Sequence, residues 1–235
     1  MIAVTSYILL GDMLEHLFKY KKMSKDNIAF LRYQDRLTLD KVIVIGEERS
    51  CLRIEGNEVI LLKPIEFLLL LEELTTIDAE RLARHIEWSD FERYVAEKLR
   101  LMGFDYISSY KHNRIMRFQI DVLALDLVGK VGYIVECKHW RKIISSSQIR
   151  QIVKDHTTRV EKFLKSCEWV SMEVSAIRKV KYFIPLILTL YAQKVYIYNG
   201  VPIVALRFLE EFLAKADTYA DVLEVRKYVN RCYVS

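Results

Sequence analysis

The sequence predicts an α/β protein in which helices flank a mixed central β-sheet. Two observations predict this class. Several segments alternate apolar and polar residues at the period of β-strands, with turns rich in Gly and Asn between them. Other segments have the 3.6-residue period of amphipathic helices. With 235 residues, 52% of them hydrophobic, the chain is long enough to bury a sizeable core.

Residues 1–86 are expected to form a small N-terminal α/β domain. Residues 7–22 have helical periodicity. Residues 40–62 alternate as short antiparallel strands, and this pattern is broken at Gly46 and Gly56. This domain therefore begins with a helix and continues into strands.

Two helices are expected after these strands. The first begins at Pro64, because proline is tolerated in the first turn of a helix, and the second is capped near Thr76 or Asp78. The phrase GNEVILLKPIEFLLLLEEL, residues 56–74, resembles the start of winged-helix domains, in which a hairpin leads into a helix. Too few residues remain before Trp88 for a recognition helix and a wing, so we favour a plain accessory domain.

Residues 87–235 are expected to form the second, larger domain. Its first helix starts with a predicted capping box, Ser89 and Glu92, and ends at Gly103. Two apolar strands follow, joined by a turn around Gly129. The rest predicts a long helix after residues 145–147, strands over 181–190 and 194–206, and a final helix over 207–216.

Composition excludes several classes of protein. The longest apolar run, residues 182–191, is too short to span a bilayer, and the N-terminus lacks the basic region of a signal peptide, so we expect a cytoplasmic protein. The four cysteines form no CxxC pair, which argues against zinc and indicates no disulfide framework. The composition resembles that of hyperthermophile proteins, in which a Cys167–Cys232 bridge is conceivable.

The positive charge of the chain is concentrated in one segment. The net charge is +5, but residues 138–181 contain eleven Lys or Arg against four Asp or Glu. Part of this excess forms a stripe on the long helix: Arg150, Lys154, Arg159, Lys162 and Lys165. A stripe of this kind favours binding to a nucleic-acid backbone, although a charged thermophile surface would look similar.

Three charged residues interrupt the two apolar strands. Glu136 and Lys138 lie two residues apart, so they point to the same face of the sheet, and Asp121 stands alone in the preceding strand. If the two strands form a hairpin, the two acids come close together and need a cation. A hard divalent ion, Mg²⁺ or Mn²⁺, suits oxygen ligands, and the lysine could then stabilise a phosphate.

This pattern matches the D…(D/E)xK signature of the PD-(D/E)XK nuclease superfamily. Residues 88–213 resemble its Mrr-like restriction endonucleases and archaeal Holliday-junction resolvases through the segments FERYVAEKLRLMGF, QIDVLAL and YIVECKHW. The resemblance implies a restriction-endonuclease-like αβββαβ core with a mixed sheet. The chain departs from the pattern in lacking glycines before the first acid, and Ile120 stands where proline is common.

The resemblance implies the roles of the site residues. Asp121 and Glu136 correspond to the metal carboxylates, helped by Glu92 from the preceding helix and by the Cys137 carbonyl. Lys138 corresponds to the catalytic lysine. Gln148 corresponds to the glutamine that begins the next helix near the active site. Glu92 has an alternative role as a capping-box acid, and Gln148 has one as a solvated helix residue.

We therefore expect a Mg²⁺- or Mn²⁺-dependent endonuclease that hydrolyses DNA through a metal-activated water, and a homodimer would supply two sites. The candidate DNA-binding residues are Lys111, Arg114, Arg117, Arg141, Lys142 and Arg150. Two alternatives remain. One is an inactive DNA-binding or scaffolding protein with the same fold, and the other is an RNA-processing enzyme using Tyr110, Lys111 and His112.

Overall fold

The computed structural model describes residues 9–234, apart from the side chains at positions 217 and 221. The chain divides into two compact units, residues 1–87 and residues 88–235. The first contains α1 (Leu10–Tyr20), β1 (Lys22–Ser24), a 3₁₀ turn (Lys25–Phe30), α2 (Tyr33–Glu48), β2 (Leu52–Glu55), β3 (Glu58–Leu61), α3 (Pro64–Leu74) and α4 (Ala79–Ala83). The second contains α5 (Trp88–Leu101), β4 (Asp105–His112), β5 (Phe118–Asp126), β6 (Val131–Lys138), α6 (Ser146–Lys165), α7 (Cys167–Glu173), β7 (Tyr182–Thr189), β8 (Ile197–Tyr198), β9 (Val201–Ala205), α8 (Leu209–Ala214), α9 (Ala216–Val222) and β10 (Tyr228–Val229).

The first unit has a three-stranded antiparallel sheet in the order β1, β3, β2. The β2–β3 hairpin turns at Gly56, whose φ of +57° suits glycine. Helix α3 begins at Pro64, and the side chain of Asp78 caps α4 by accepting a hydrogen bond from the Glu80 backbone. These three features were predicted from the sequence.

The expected strand over residues 40–46 is wrong, because these residues belong to helix α2. Leu39, Val42, Ile43 and Gly46 are buried at the i, i+3, i+4, i+7 spacing of a helix face. The run of β-branched residues favours a strand by propensity, but burial of this face decides the structure. The winged-helix comparison considered a recognition helix after the β2–β3 hairpin. In the structure, α1, β1 and α2 all precede this hairpin.

The helix expected over residues 7–22 is α1. Residues 7 and 8 of this expected helix lie outside the described part of the chain, as do residues 1–8 of the N-terminal segment in which no signal peptide is expected.

The second unit is built on one mixed sheet, as predicted. The strand order is β4, β5, β6, β7, β9, β8, and β10 pairs with β7. The first three strands are antiparallel neighbours, whereas β7 runs parallel to both β6 and β9. The predicted turn between β5 and β6 is present, with the Asp126 carboxylate accepting hydrogen bonds from the backbone of Val128 and Gly129.

Helices α5 and α6 cover opposite faces of this sheet. Ile134 of β6 packs in one core cluster with Val160 and Phe163 of α6. His139, which directly follows β6 and has the opposite parity to Ile134, packs against Phe91 of α5 with the ring centroids 5.0 Å apart in a tilted arrangement. Because alternate strand residues face opposite sides, the sheet lies between the two helices.

A disulfide joins Cys167, at the start of α7, to Cys232. This is the pair that is conceivable from the hyperthermophile-like composition, although the spacing of the cysteines indicates no disulfide framework. Cys51 and Cys137 are buried free thiols. None of the described helices has the length and apolar character needed to cross a membrane.

Candidate active site

The two predicted acids lie on neighbouring strands. The β5–β6 ladder pairs Val122 with Val135, and the same register places Asp121 opposite Glu136. The Asp121 Oδ2 atom accepts a 2.9 Å hydrogen bond from the Cys137 backbone N–H. Both carboxyl groups are buried. The expected hairpin is therefore confirmed, and it brings the two acids together.

Two cations hold the Glu136 carboxylate, one at each oxygen. Lys138 Nζ lies 2.6 Å from Oε1, and Arg159 Nη2 of α6 lies 2.6 Å from Oε2. Burial alone would raise the pKa of Glu136, but Arg159 and Lys138 outweigh it and lower this pKa below its ordinary value. Glu136 is therefore ionised at neutral pH.

His156 lies beside this carboxylate as a neutral ring. Its Nε2 atom is 3.0 Å from the Ile134 carbonyl, which only accepts, so Nε2 carries the proton. Burial lowers the pKa of His156 to about 4. The 3.7 Å approach of Nδ1 to Glu136 Oε2 is consequently not an ion pair at neutral pH.

Asp121 is the acid of the pair whose ionisation is unfavourable. Burial, followed by the negative charge of Glu136, raises the pKa of Asp121 to about 7. The hydrogen bond from Cys137 and the charge of Lys138 act in the opposite direction but are weaker. A cation placed beside Asp121 would relieve this repulsion.

Glu92 turns inward from α5 and does not cap it. The helix already begins at Trp88, so the predicted capping box of Ser89 and Glu92 is wrong. Glu92 Oε2 accepts a 3.2 Å hydrogen bond from Ser109 Oγ of β4, and buried Oε1 has no hydrogen-bond partner among the described atoms. Burial raises the pKa of Glu92, and Glu136 also acts in that direction.

These carboxyl groups have the chemistry that a divalent metal ion requires. They offer hard oxygen donors, one of them an unpaired buried atom of Glu92 and one on an acid that burial drives toward protonation. Within the described residues, no three His, Cys, Asp or Glu side chains are close enough to hold an ion. The carboxylates of Asp121, Glu136 and Glu92 are therefore of the chemical type that binds a divalent metal ion. Both oxygens of Glu136 contact cationic side chains.

Gln148 has a capping role at the start of α6. Its side-chain oxygen accepts hydrogen bonds from the Ser145 backbone and hydroxyl, at 3.0 and 2.9 Å, and the Ser145 hydroxyl in turn accepts from the Gln148 backbone. These hydrogen bonds form a capping box at the start of α6, whereas the sequence predicted a capping box only for α5. The expected role of Gln148 in catalysis stays a prediction.

The candidate DNA-binding residues are exposed. Lys111 belongs to strand β4. Lys111 is near enough to the site to lower the pKa of Glu92. Arg114 and Arg117 lie in the β4–β5 loop, Arg141 and Lys142 directly follow β6, and Arg150 lies on α6.

Arg150 also borders a polar cleft along α6. The cleft has a volume of about 550 Å³, and its lining includes the cationic side chains of Lys154 and Arg226 with the hydroxyls of Ser147 and Thr158. This chemistry suits phosphate groups.

Sequence reasoning missed Arg159 and His156 as neighbours of Glu136. Arg159 was counted as part of a surface stripe, because its spacing on α6 matches that of the solvated lysines. Only the packing of α6 against β6 reveals that the side chain reaches a buried carboxylate.

The residues of the RNA-processing alternative do not converge. Tyr110 and His112 share a buried face of β4, with the Tyr110 hydroxyl 3.4 Å from His112 Nδ1, and Lys111 is exposed. The Tyr110 hydroxyl donates to Glu173. The alternation of the strand thus separates Lys111 from Tyr110 and His112, as expected.

Comparison with known proteins finds one family and two solved structures that are similar to this chain. Residues 83–167 match the family Mrr_cat, a restriction endonuclease domain. No curated protein matches the chain. Two solved structures match: protein VC1899 from Vibrio cholerae, at 11% identity and a TM-score of 0.35, and AF1548, a protein of unknown function, at 17% identity and a TM-score of 0.33. The matches cover 89% and 56% of this chain, and 49% and 66% of those chains.

Proposed function

We propose that the chain is an endonuclease that hydrolyses DNA phosphodiester bonds with a divalent metal ion, because the match of residues 83–167 to the restriction endonuclease family Mrr_cat supports the Mrr-like branch of the PD-(D/E)XK nuclease superfamily. The observation that carries the proposal is the pairing of buried Asp121 with Glu136 on adjacent strands, with Lys138 on the same carboxylate. In this proposal residues 88–235 form the nuclease domain, and residues 1–87 form an accessory unit.

Asp121, Glu136 and Glu92 would hold the metal ion, together with the Cys137 carbonyl. When bound, a Mg²⁺ or Mn²⁺ ion supplies polarisation of the phosphoryl oxygen and a lower pKa for the attacking water. The remaining work belongs to side chains of the protein.

Lys138 is the proposed catalytic cation. In the structure its ammonium neutralises Glu136 Oε1, and its side chain is 25% exposed, so it has access to solvent and substrate. At the substrate it would orient the water and offset the negative charge that develops on the phosphate. The exposed basic residues after β6 and in the β4–β5 loop would bind the neighbouring phosphates.

A panel of DNA substrates tests this proposal. Supercoiled plasmid, single strand, flap and four-way junction are each incubated with the protein in Mg²⁺, Mn²⁺ or EDTA. We expect cleavage only with metal, and Lys138→Met should slow it about 100-fold or more. Lys179→Met, which removes an exposed lysine of the same domain, should cleave normally. Cleavage by Lys138→Met at the wild-type rate would reject the proposed role.

A DNA-binding protein without catalysis is the second candidate. It is favoured by the two cations that occupy both oxygens of Glu136 and by the lack of a converged ligand set among the described residues. Tight binding to the panel without cleavage in any metal would support this candidate.

A further inference from the structure

The carboxylate of Glu136 has two cationic partners, Lys138 and Arg159, and the superfamily pattern accounts only for Lys138. Lys138 is part of the motif and holds Oε1, whereas Arg159 comes from α6, 23 positions along the chain from Glu136, and holds Oε2. Each oxygen therefore has its own partner at 2.6 Å.

The two cations are not equivalent. Lys138 lies on the same strand as Glu136, carries a flexible side chain, and in the proposed function leaves the carboxylate for the substrate phosphate. Glu136 would then be a buried acid next to Asp121 and Glu92, with no cation from its own strand. Such a group is costly unless another positive charge stays in place.

Arg159 is placed so that it can remain at Glu136 when Lys138 moves to the substrate. It follows His156 by three residues on α6, so the two side chains lie on the same side of the helix. His156 fixes that part of the helix to β6 through the Ile134 carbonyl and, being neutral, adds no charge of its own. The Arg159 Nε atom is buried and has no hydrogen-bond partner among the described atoms, and the guanidinium binds the protein through Glu136.

From this geometry we propose that Arg159 is a positioning residue for Glu136, an inference that rests on the proposed nuclease function. Its guanidinium fixes Oε2 and keeps the carboxylate oriented. The Oε1 atom is thereby left to the metal ion once Lys138 turns to the substrate. A charged hydrogen-bond partner behind a metal ligand raises metal affinity, and its loss lowers that affinity by about 10- to 100-fold.

The test is the affinity of the full-length protein for Mn²⁺ without DNA, measured by isothermal titration calorimetry. Arg159→Met should bind Mn²⁺ at least about tenfold more weakly than wild type, and Arg159→Lys should recover most of the affinity because it restores the charge. Arg100→Met is the matched control, since Arg100 forms an exposed 2.8 Å ion pair with Glu97 on α5. This control should bind like wild type.

Unchanged or tighter Mn²⁺ binding by folded Arg159→Met would overturn the inference, because Arg159 would then be a structural ion pair or a competitor of the metal. If circular dichroism shows that Arg159→Met is unfolded, Arg159→Gln, which keeps a donor without the charge, is judged by the same criterion. Failure of the proposed function looks different: wild type and Arg100→Met would both bind no Mn²⁺ and cleave no DNA.

Discussion

At the scale of single residues, the site combines groups whose ionisation the fold drives apart. Glu136 has a lowered pKa because Arg159 and Lys138 outweigh its burial, whereas neighbouring Asp121 has a pKa raised to about 7 by burial and by Glu136. Paired acids of this kind are characteristic of functional sites. Ionisation of Asp121 is therefore unfavourable at this site.

Asp121→Asn should stabilise the metal-free protein in a pH-dependent way. The pKa of Asp121 is higher in the folded chain than its ordinary value of about 4. The contribution of protonated Asp121 to the free energy of unfolding is therefore fully present below about pH 4 and is lost as the pH rises through about 7. Asparagine cannot ionise and can still accept the hydrogen bond from Cys137.

Urea unfolding in EDTA measures this effect. We expect the free energy of unfolding of Asp121→Asn to exceed that of wild type by about 4 kcal/mol at pH 8 and by little at pH 4. Asp105→Asn, at an exposed position of β4, is the control. Equal or lower stability of Asp121→Asn at pH 8 would show that Asp121 is not strained.

At the scale of elements, the sequence predicts those features that depend on local patterns of residues. The β5–β6 hairpin follows from two apolar runs around a turn, and the opposition of Asp121 and Glu136 follows from that hairpin. Helix α2 was misassigned because a short β-branched run suits a strand or a buried helix equally. Arg159 was missed because contact between α6 and β6 is set by tertiary packing, which single-sequence patterns do not contain.

Gln148 offers a test of capping against catalysis. The capping box predicts that Ser145→Ala and Gln148→Ala each lose about 1 kcal/mol of unfolding free energy. Because the Gln148 oxygen is occupied by Ser145, we expect both variants to cleave DNA at similar rates once folded. Cleavage lost in Gln148→Ala but kept in Ser145→Ala would assign Gln148 to the site.

The disulfide should contribute strongly to the stability of the second unit. It links residues 65 positions apart and so lowers the entropy of the unfolded chain, which corresponds to a stabilisation of about 4 kcal/mol. Dithiothreitol should therefore lower the melting temperature of wild type. The variant Cys232→Ser should melt near the reduced wild type and should not respond to dithiothreitol. A wild-type melting temperature that ignores full reduction would contradict this expectation.

At the scale of the whole molecule, the two units differ in surface chemistry. The exposed side of α2 carries Tyr33, Leu37 and Val44 together with the acids Asp40 and Glu47. The basic excess lies in the second unit, within residues 138–181. We therefore expect backbone contacts with DNA to come from the second unit.

The salt dependence of DNA binding tests this division. Each lost phosphate contact lowers the slope of log K against log salt by about 0.9. Replacing Arg141 and Lys142 by Met should therefore reduce the slope by about 2. Replacing Arg32 and Lys41 of the first unit, both exposed, should leave it unchanged. An equal reduction by the second pair would assign DNA binding to α2 as well.

The most direct test of the central claim is the rate of cleavage of supercoiled plasmid by Glu136→Gln beside wild type, with Mg²⁺ or EDTA. DNA affinity is measured in parallel in Ca²⁺. The account predicts that wild type cuts only with Mg²⁺, and that Glu136→Gln binds the plasmid but cuts at least about 100-fold more slowly. Cutting in EDTA, or cutting by Glu136→Gln at the wild-type rate, would contradict it.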